Sequence, residues 1–349
     1  MIDITTLEIT AEMLSLIAQI DEFKGQWKVL GSLTPERLKD LKKVATIESI
    51  GSSTRIEGAK LSDRDVEKLL SNLETYAFVS RDEEEVAGYA RVCGEIFDGF
   101  ESMDLSENVI KQLHGWLLKF STKDERHRGE YKKFVNNVEA FDEKGTSLGI
   151  VFETASPFET PQKMRDLIAW TREQMEVQTL HPLLIAGIFV VVFLAIHPFQ
   201  DGNGRLSRLL TTLLLLKFGY THVPYSSLES VIERSKESYY LALRRTQGGL
   251  KLGAPDFTPW LTFFLRALHK QKIHLETKID TQKQLYMHMS QTSAEILILL
   301  KNYGRLSLMD FEEKTNINVH TLKKHLSQLV QNGHILRLGK GRATWYSLP

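Results

Sequence analysis

Within twelve residues, His197-Pro198-Phe199-Gln200-Asp201-Gly202-Asn203-Gly204-Arg205-Leu206-Ser207-Arg208, the chain gathers an imidazole, a carboxylate, two glycines and two guanidinium groups. A histidine can take a proton from a hydroxyl near neutral pH. Gly202 and Gly204 permit positive φ, so backbone N–H groups can converge on an anion. Arg205 and Arg208 are three apart and share a helix face, a spacing suited to gripping phosphate oxygens. One carboxylate, Asp201, is enough for Mg²⁺ when phosphates supply the remaining ligands. No Lys-Ser/Thr follows the glycines, so this is not a Walker A loop. A plainer reading fits the same residues: an N-capping aspartate, a glycine turn between helices and two solvated arginines.

The flanks decide how such a loop is held. Leu183 to Ile196 is the most apolar run, and Leu209 to Leu216 follows the loop, closed by Gly219. Both read as buried helices, with the second starting near Asn203 and Gly219 as its C-terminal cap. Its N-terminus then adds a positive dipole end to the loop.

Residues 197–208 resemble the signature of Fic (Fido) domain proteins at every fixed position, His-Pro-Phe-x-Asp-Gly-Asn-Gly-Arg-x-x-Arg. The resemblance implies a protein adenylyltransferase, moving AMP from Mg-ATP to a Ser, Thr or Tyr hydroxyl of a protein, itself included. His197 would be the catalytic base and Asp201 the Mg²⁺ ligand. Gly202, Asn203, Gly204 and Arg205 would cradle the phosphates, and Arg208 would hold the outermost one. Two rival readings use the same chain: a deAMPylating hydrolase, and a DNA-binding regulator with the Fic fold as sensor. The implied fold is mainly α, with a β-hairpin flap beside the site.

Other stretches take their places around this signature. Leu7 to Phe23 is amphipathic, with Met13, Leu14, Ile17 and Ile20 apolar, Gly25 near the helix end and Trp27 a packing anchor. Thr34 and Pro35 open the next helix as N-cap and first turn. Ser53-Thr54-Arg55-Ile56-Glu57-Gly58 reads alone as a helix end stopped by Gly58. Beside the signature, Ser53, Glu57 and Gly58 resemble the inhibitory motif of Fic proteins, whose glutamate pairs with the second arginine. Ser62 with Asp65 is a variant capping box. Arg81 to Glu85 reads as a charged surface stretch, and His114 as a satisfied histidine rather than a catalytic one.

Phe134 to Val138 and Leu148 to Phe152, around Asp142 to Gly145, spell a hairpin. By resemblance it is the flap that aligns the target, with Val151, Phe152, Glu153 and Thr154 at its edge. Ser156 to Pro161 partly matches the family's proline-rich stretch. Tyr239 and Tyr240 are core aromatics or, by resemblance, contacts to the nucleotide, with Gln247 near the adenine.

The tail from residue 293 reads helix, helix, turn, helix, hairpin and resembles a winged helix. Its eight basic and four acidic residues leave it at +4, and His320, Lys323, Lys324, Lys340 and Arg342 suit phosphate contacts. A solvated face or a protein-docking surface fits equally, so DNA is one possible partner. The expected divisions are N-terminal helices over 1–80, the catalytic domain over 81–270, a spacer over 271–292 and the tail over 293–349.

Composition excludes little but is consistent. Acidic and basic residues balance at 44 each, so no global charge points to nucleic acid or membrane. A single cysteine, Cys93, rules out an intrachain disulfide and suits a reducing compartment. No signal sequence or spanning segment is apparent, so the expected location is cytoplasmic and a homodimer is compatible.

Overall fold

Met13, Ile17, Ile20, Phe23 and Trp27 share one face of α1 (Ala11–Leu30), and all five are buried, whereas Leu14 faces solvent. The helix therefore runs through Gly25 instead of ending there. Trp27 packs on Tyr225 with ring centroids 4.9 Å apart. In this computed structural model the described residues are all except 1, 31–34, 73–77, 142–146, 252, 288–289, 316, 340, 342–343 and 349. The cap expected at Thr34 lies outside them. Pro35 begins α2 (Pro35–Ile56), and Gly58 stops it at φ +108°, where a side chain would be strained. Ser62 and Asp65 form the reciprocal capping box of α3 (Asp63–Ser71).

The next helix corrects one expectation. Arg81 to Glu85 forms the first turn of α4 (Arg81–Gly99), capped by the Ser80 side chain; Arg81 is exposed as expected, but Glu83 is buried. Helix α5 (Glu107–Leu117) packs closely on it at Gly88, where a Cβ would collide with the Leu117 carbonyl. The hairpin follows: β1 (Val138–Phe141) pairs antiparallel with β2 (Ser147–Phe152), with register shifts after Val138 and Ala140. Its first strand starts later than the apolar run suggested. Phe134 and Val135 are exposed at 68% and 61%, outside the ladder. The expected turn at 142–145 lies outside the described residues.

Helices α6 (Thr160–Val177), α7 (Pro182–Ile196) and α8 (Asn203–Lys217) form the centre. Leu183 to Val191 is buried on every side, as a helix apolar all round must be. Pro182 sits in the first turn of α7, and the His181 ring accepts from the Leu183 N–H. Gly219 follows α8 at φ +82°. Then come α9 (Leu228–Arg234), α10 (Lys236–Lys251) and α11 (Thr258–Met287). Trp260 of α11 donates its indole N–H to the Gly187 carbonyl at 2.7 Å, satisfying a buried donor.

The chain divides into two compact units, Met1–Leu275 and Glu276–Pro349, so residues 1–80 share a unit and a core with the signature helices. Helix α11 runs through the boundary expected at residue 270. The second unit orders α12 (Gln291–Tyr303), β3 (Arg305–Ser307), α13 (Leu308–Thr315), α14 (Val319–Gln331), β4 (Leu336–Leu338) and β5 (Trp345–Ser347). β3 is an addition to the sequence reading; it pairs with β5, giving the antiparallel order β3-β5-β4. Ile296, Leu300, Phe311, Leu322, Leu326 and Leu329 make this unit's own core. Lys340, Arg342 and Asn316 lie outside the described residues. Among the described residues no helix is long and apolar enough to cross a membrane.

Candidate active site

His197 ends α7 in the left-handed region, at φ 52° and ψ 61°, with its N–H still bonded to the Phe193 carbonyl at 2.9 Å. Few non-glycine residues adopt this conformation, and it turns the imidazole out of the helix towards a cavity. Its Nδ1 lies 3.4 Å from the Leu194 carbonyl; with a proton there, Nε2 is left to accept one. Burial, then the Lys132 charge, push its pKa down to about 4, so the ring is neutral at physiological pH. The loop beyond is pinned from beneath. The Asn203 side chain accepts from the Phe199 N–H at 2.9 Å and donates to the Phe199 carbonyl at 2.7 Å. Phe199 stacks on His114 with ring centroids 3.8 Å apart. The His114 Nδ1 accepts from the Gly129 N–H, so Nε2–H donates to the Asp201 carbonyl at 3.0 Å. His114 is thus a buried scaffold, and burial lowers its pKa to about 4.

Gly202 caps α8 at φ +79°, and Gly202, Asn203, Gly204 and Arg205 all line the cavity with the helix N-terminus. The Asp201 carboxylate accepts from Arg81 at 2.6 Å and from Arg205 at 3.3 Å. Burial opposes its charge, but Arg205, the Gly202 N–H and Arg81 outweigh it and hold its pKa down. Arg205 is also 3.1 Å from Glu85. The Nε of Arg205 and the Nη1 of Arg208 are buried without a hydrogen-bond partner among the described residues. Such donors suit an anion.

Arg208 is buried, and α2 and the turn just after it supply its partners. Its Nε donates to the Ser53 hydroxyl at 2.8 Å, and its Nη2 to the Ser53 carbonyl at 2.9 Å and to Glu57 Oε1 at 2.8 Å. Burial works against the cation, yet Glu57 raises its pKa. Glu57 also lies against Gly204, where any Cβ would strike its carboxylate. Glu57 and the second arginine of the signature, paired in the sequence expectation, are therefore in contact. Arg55 anchors the same helix end, bonded to Glu233 at 2.7 and 3.0 Å and to Asp63 at 2.9 Å.

The cavity holds about 690 Å³, within the ordinary range for small-molecule sites. Tyr239, Tyr240 and Gln247 line it from α10, as do Lys236 and Arg244. Tyr239 is buried, edge-on to Tyr240 and Trp260, so it is core and cavity wall at once. Phe152 and Asn137 close the cavity from the hairpin. Val151 and Phe152 end β2, while Glu153 and Thr154 lie just past it beside a second cavity of about 370 Å³. Sequence reasoning missed Arg81, Glu85, Lys132, Lys236 and Arg244. The four-residue spacing of Arg81 and Glu85 was the available signal, and the pair is bonded at 2.8 Å.

Among the described residues no group of three or more His, Cys, Asp or Glu side chains is placed to hold a metal. The donor set at Asp201 therefore fits a hard cation only in company with phosphates.

Residues 104–215 match the model of the Fic/DOC family. A probable protein adenylyltransferase of Aquifex aeolicus is 22% identical over 193 residues, 53% of this chain and 59% of that protein. The protein adenylyltransferase Fic of Drosophila erecta is 32% identical over 120 residues, 34% of this chain and 22% of that protein. The chain thus spans less than two thirds of the length of these relatives. A Fic family protein of Desulfovibrio desulfuricans superposes with a TM-score of 0.63 at 24% identity, covering 98% of this chain and 97% of its own. A Fic domain signalling protein of Bacteroides thetaiotaomicron gives 0.60 at 26% identity, covering 73% and 94%. With the signature loop, the surrounding helices and the hairpin in the places described, residues 104–215 match the Fic/DOC family, and the fold is similar to that of Fic family proteins.

Proposed function

We propose that this chain transfers AMP from ATP to a hydroxyl of a protein, and that Glu57 restrains the reaction. The observation that carries the reading is the Arg208–Glu57 contact at 2.8 Å, made by a glutamate that lines the same cavity as His197 and the α8 N-terminus. A nucleotide seated there would lay its phosphates on the Gly202–Arg205 turn beside the unpartnered Arg205 nitrogen, and Arg208 would be reached once Glu57 withdraws. Tyr239, Tyr240 and Gln247 would flank the base. His197, neutral and open at Nε2, would take the proton of a target hydroxyl as that oxygen attacks the α-phosphorus. The bond from the α-phosphorus to the bridging oxygen breaks, and pyrophosphate leaves. Phe152 to Thr154 would hold the target backbone.

Magnesium belongs to this reading as a companion of the phosphates, with Asp201 as its protein ligand. When bound it would neutralise phosphate charge. Arg81 and Arg205 now occupy the Asp201 oxygens, so the side chains must rearrange for the ion.

While Glu57 holds Arg208, that guanidinium is not free for an outer phosphate. A hydrogen bond to a charged group contributes roughly 1.5–3 kcal/mol. At 1.36 kcal/mol per tenfold, that corresponds to about ten- to a hundredfold in rate. The contact is thus strong enough to act as a brake and weak enough to be released.

The second unit, whose described residues include α12 to α14 and the sheet β3-β5-β4, fits a winged helix acting as a recognition module. Lys323 and Lys324 are exposed on α14, so a nucleic-acid partner is the alternative. Incubation with Mg²⁺ and ATP, followed by intact-mass analysis, tests the activity. A gain of one AMP on the chain or on a protein from the host lysate is the expected result. No adduct on any protein, even from the Glu57→Gly variant, would refute it.

A further inference from the structure

Lys132 is buried, 4% exposed, between the histidine loop and the foot of the hairpin. Its ammonium donates to the Ile196 carbonyl at 3.0 Å, the Thr154 hydroxyl at 2.9 Å and the Asn136 side-chain oxygen at 2.8 Å. An ammonium has three donors, and all three are used. The Lys132 backbone N–H donates to the Pro198 carbonyl at 2.8 Å. One residue therefore holds the carbonyls on both sides of His197.

We infer that Lys132 is a positioning residue: it fixes His197 in its left-handed conformation and ties that position to the register of the hairpin. The inference rests on the proposed AMP transfer. A left-handed non-glycine residue costs on the order of 1–3 kcal/mol and persists only where its surroundings over-determine it. Lys132 supplies that determination from both flanking peptides. The second arm of the contact reaches Thr154, two residues past the Phe152 that lines the main cavity. The Thr154 N–H in turn donates to the Asn137 side chain at 3.1 Å, and Asn137 also lines the cavity. The base and the strand that would present the target are thus referred to one ammonium. Misplacement by about 1 Å costs around a hundredfold in such a reaction.

A buried lysine serving stability alone is the competing explanation, and electrostatics separates the two. Lys132 disfavours a proton on His197, whereas Glu57, Asp201 and the Leu194 carbonyl favour one. Lys132 is itself held down to about 8, first by burial, then by Lys163 against the opposing pull of Glu159.

The test compares Lys132→Met and Lys132→Arg, each made in the Glu57→Gly chain. We expect Lys132→Met to lower kcat about a hundredfold while ATP affinity stays within about threefold. Lys132→Arg should restore most of the rate, because it returns the charge and several donors. The His197 ring, followed by NMR in histidine-labelled protein, should titrate at higher pH in Lys132→Met. A parental kcat in Lys132→Met would overturn the proposal. So would a rate lost only in proportion to folded protein, or a His197 titration that does not move. If the Glu57→Gly parent modifies nothing, the transferase reading fails, and the His197 titration alone decides the role of Lys132.

Discussion

Burial and the Lys132 ammonium hold the His197 imidazole near 4, so the ring is the free base throughout the neutral range. A depressed pKa means the active form is lost only as pH falls towards that value. Transfer by Glu57→Gly should therefore stay level between about pH 6 and 7 and, on the acid side, decline only on approach to 4. A half-maximum near 6.5 in kcat/KM would show an unshifted ring instead. Phosphate contacts come from the α8 turn and the arginines, not from the imidazole. His197→Ala should thus abolish transfer while calorimetry finds ATP affinity changed by less than about threefold. Asp201→Ala removes the proposed magnesium ligand and should raise the Mg²⁺ needed for half-maximal rate by roughly tenfold. A magnesium titration that superimposes on the parent's would place the ion elsewhere.

At the scale of elements, α4 brings Arg81 and Glu85 to the signature loop, and Gly88 lets it sit directly on α5. Gly88→Ala would push a methyl into the Leu117 carbonyl and part the two helices. The expected loss is about 1–3 kcal/mol, despite alanine's better helix propensity. A thermal melt at the parental midpoint would mean the helices can separate freely. This packing also explains what the sequence could tell. Helices α7 and α8, their loop and the Ser62 cap were legible because their signals are local: an apolar run, two glycines, a Ser and an Asp three apart. The Glu57–Arg208 pair was legible only through resemblance. Arg81 meets Asp201 120 positions away, and Lys132 meets Ile196 64 positions away. Arg81 sits among charged residues and reads as surface, and nothing local to Lys132 announces its partners. The first hairpin strand was placed too early because Phe134 and Val135 have β propensity but pair with nothing in the ladder. Strand β3 is three residues long and is defined only by its partner β5, which no local pattern announces.

At the scale of the whole molecule, each unit has its own buried core, so each should fold without the other. A chain lacking residues 291–349 should keep the melting midpoint of the first unit and still modify itself, while its choice of target proteins changes. Aggregation of the shortened chain would show that the second unit completes the first. The central claim, however, concerns a contact made wholly inside the first unit, where the Glu57 carboxylate, just past the end of α2, occupies Arg208 of α8. It is tested by label incorporation from α-labelled ATP into wild type, Glu57→Gly, and Glu57→Gly with His197→Ala. Freed Arg208 should raise incorporation in Glu57→Gly by about ten- to a hundredfold or more over wild type, and the double variant should incorporate none. Equal incorporation by wild type and Glu57→Gly would contradict the brake, and label surviving in the double variant would place the chemistry outside His197.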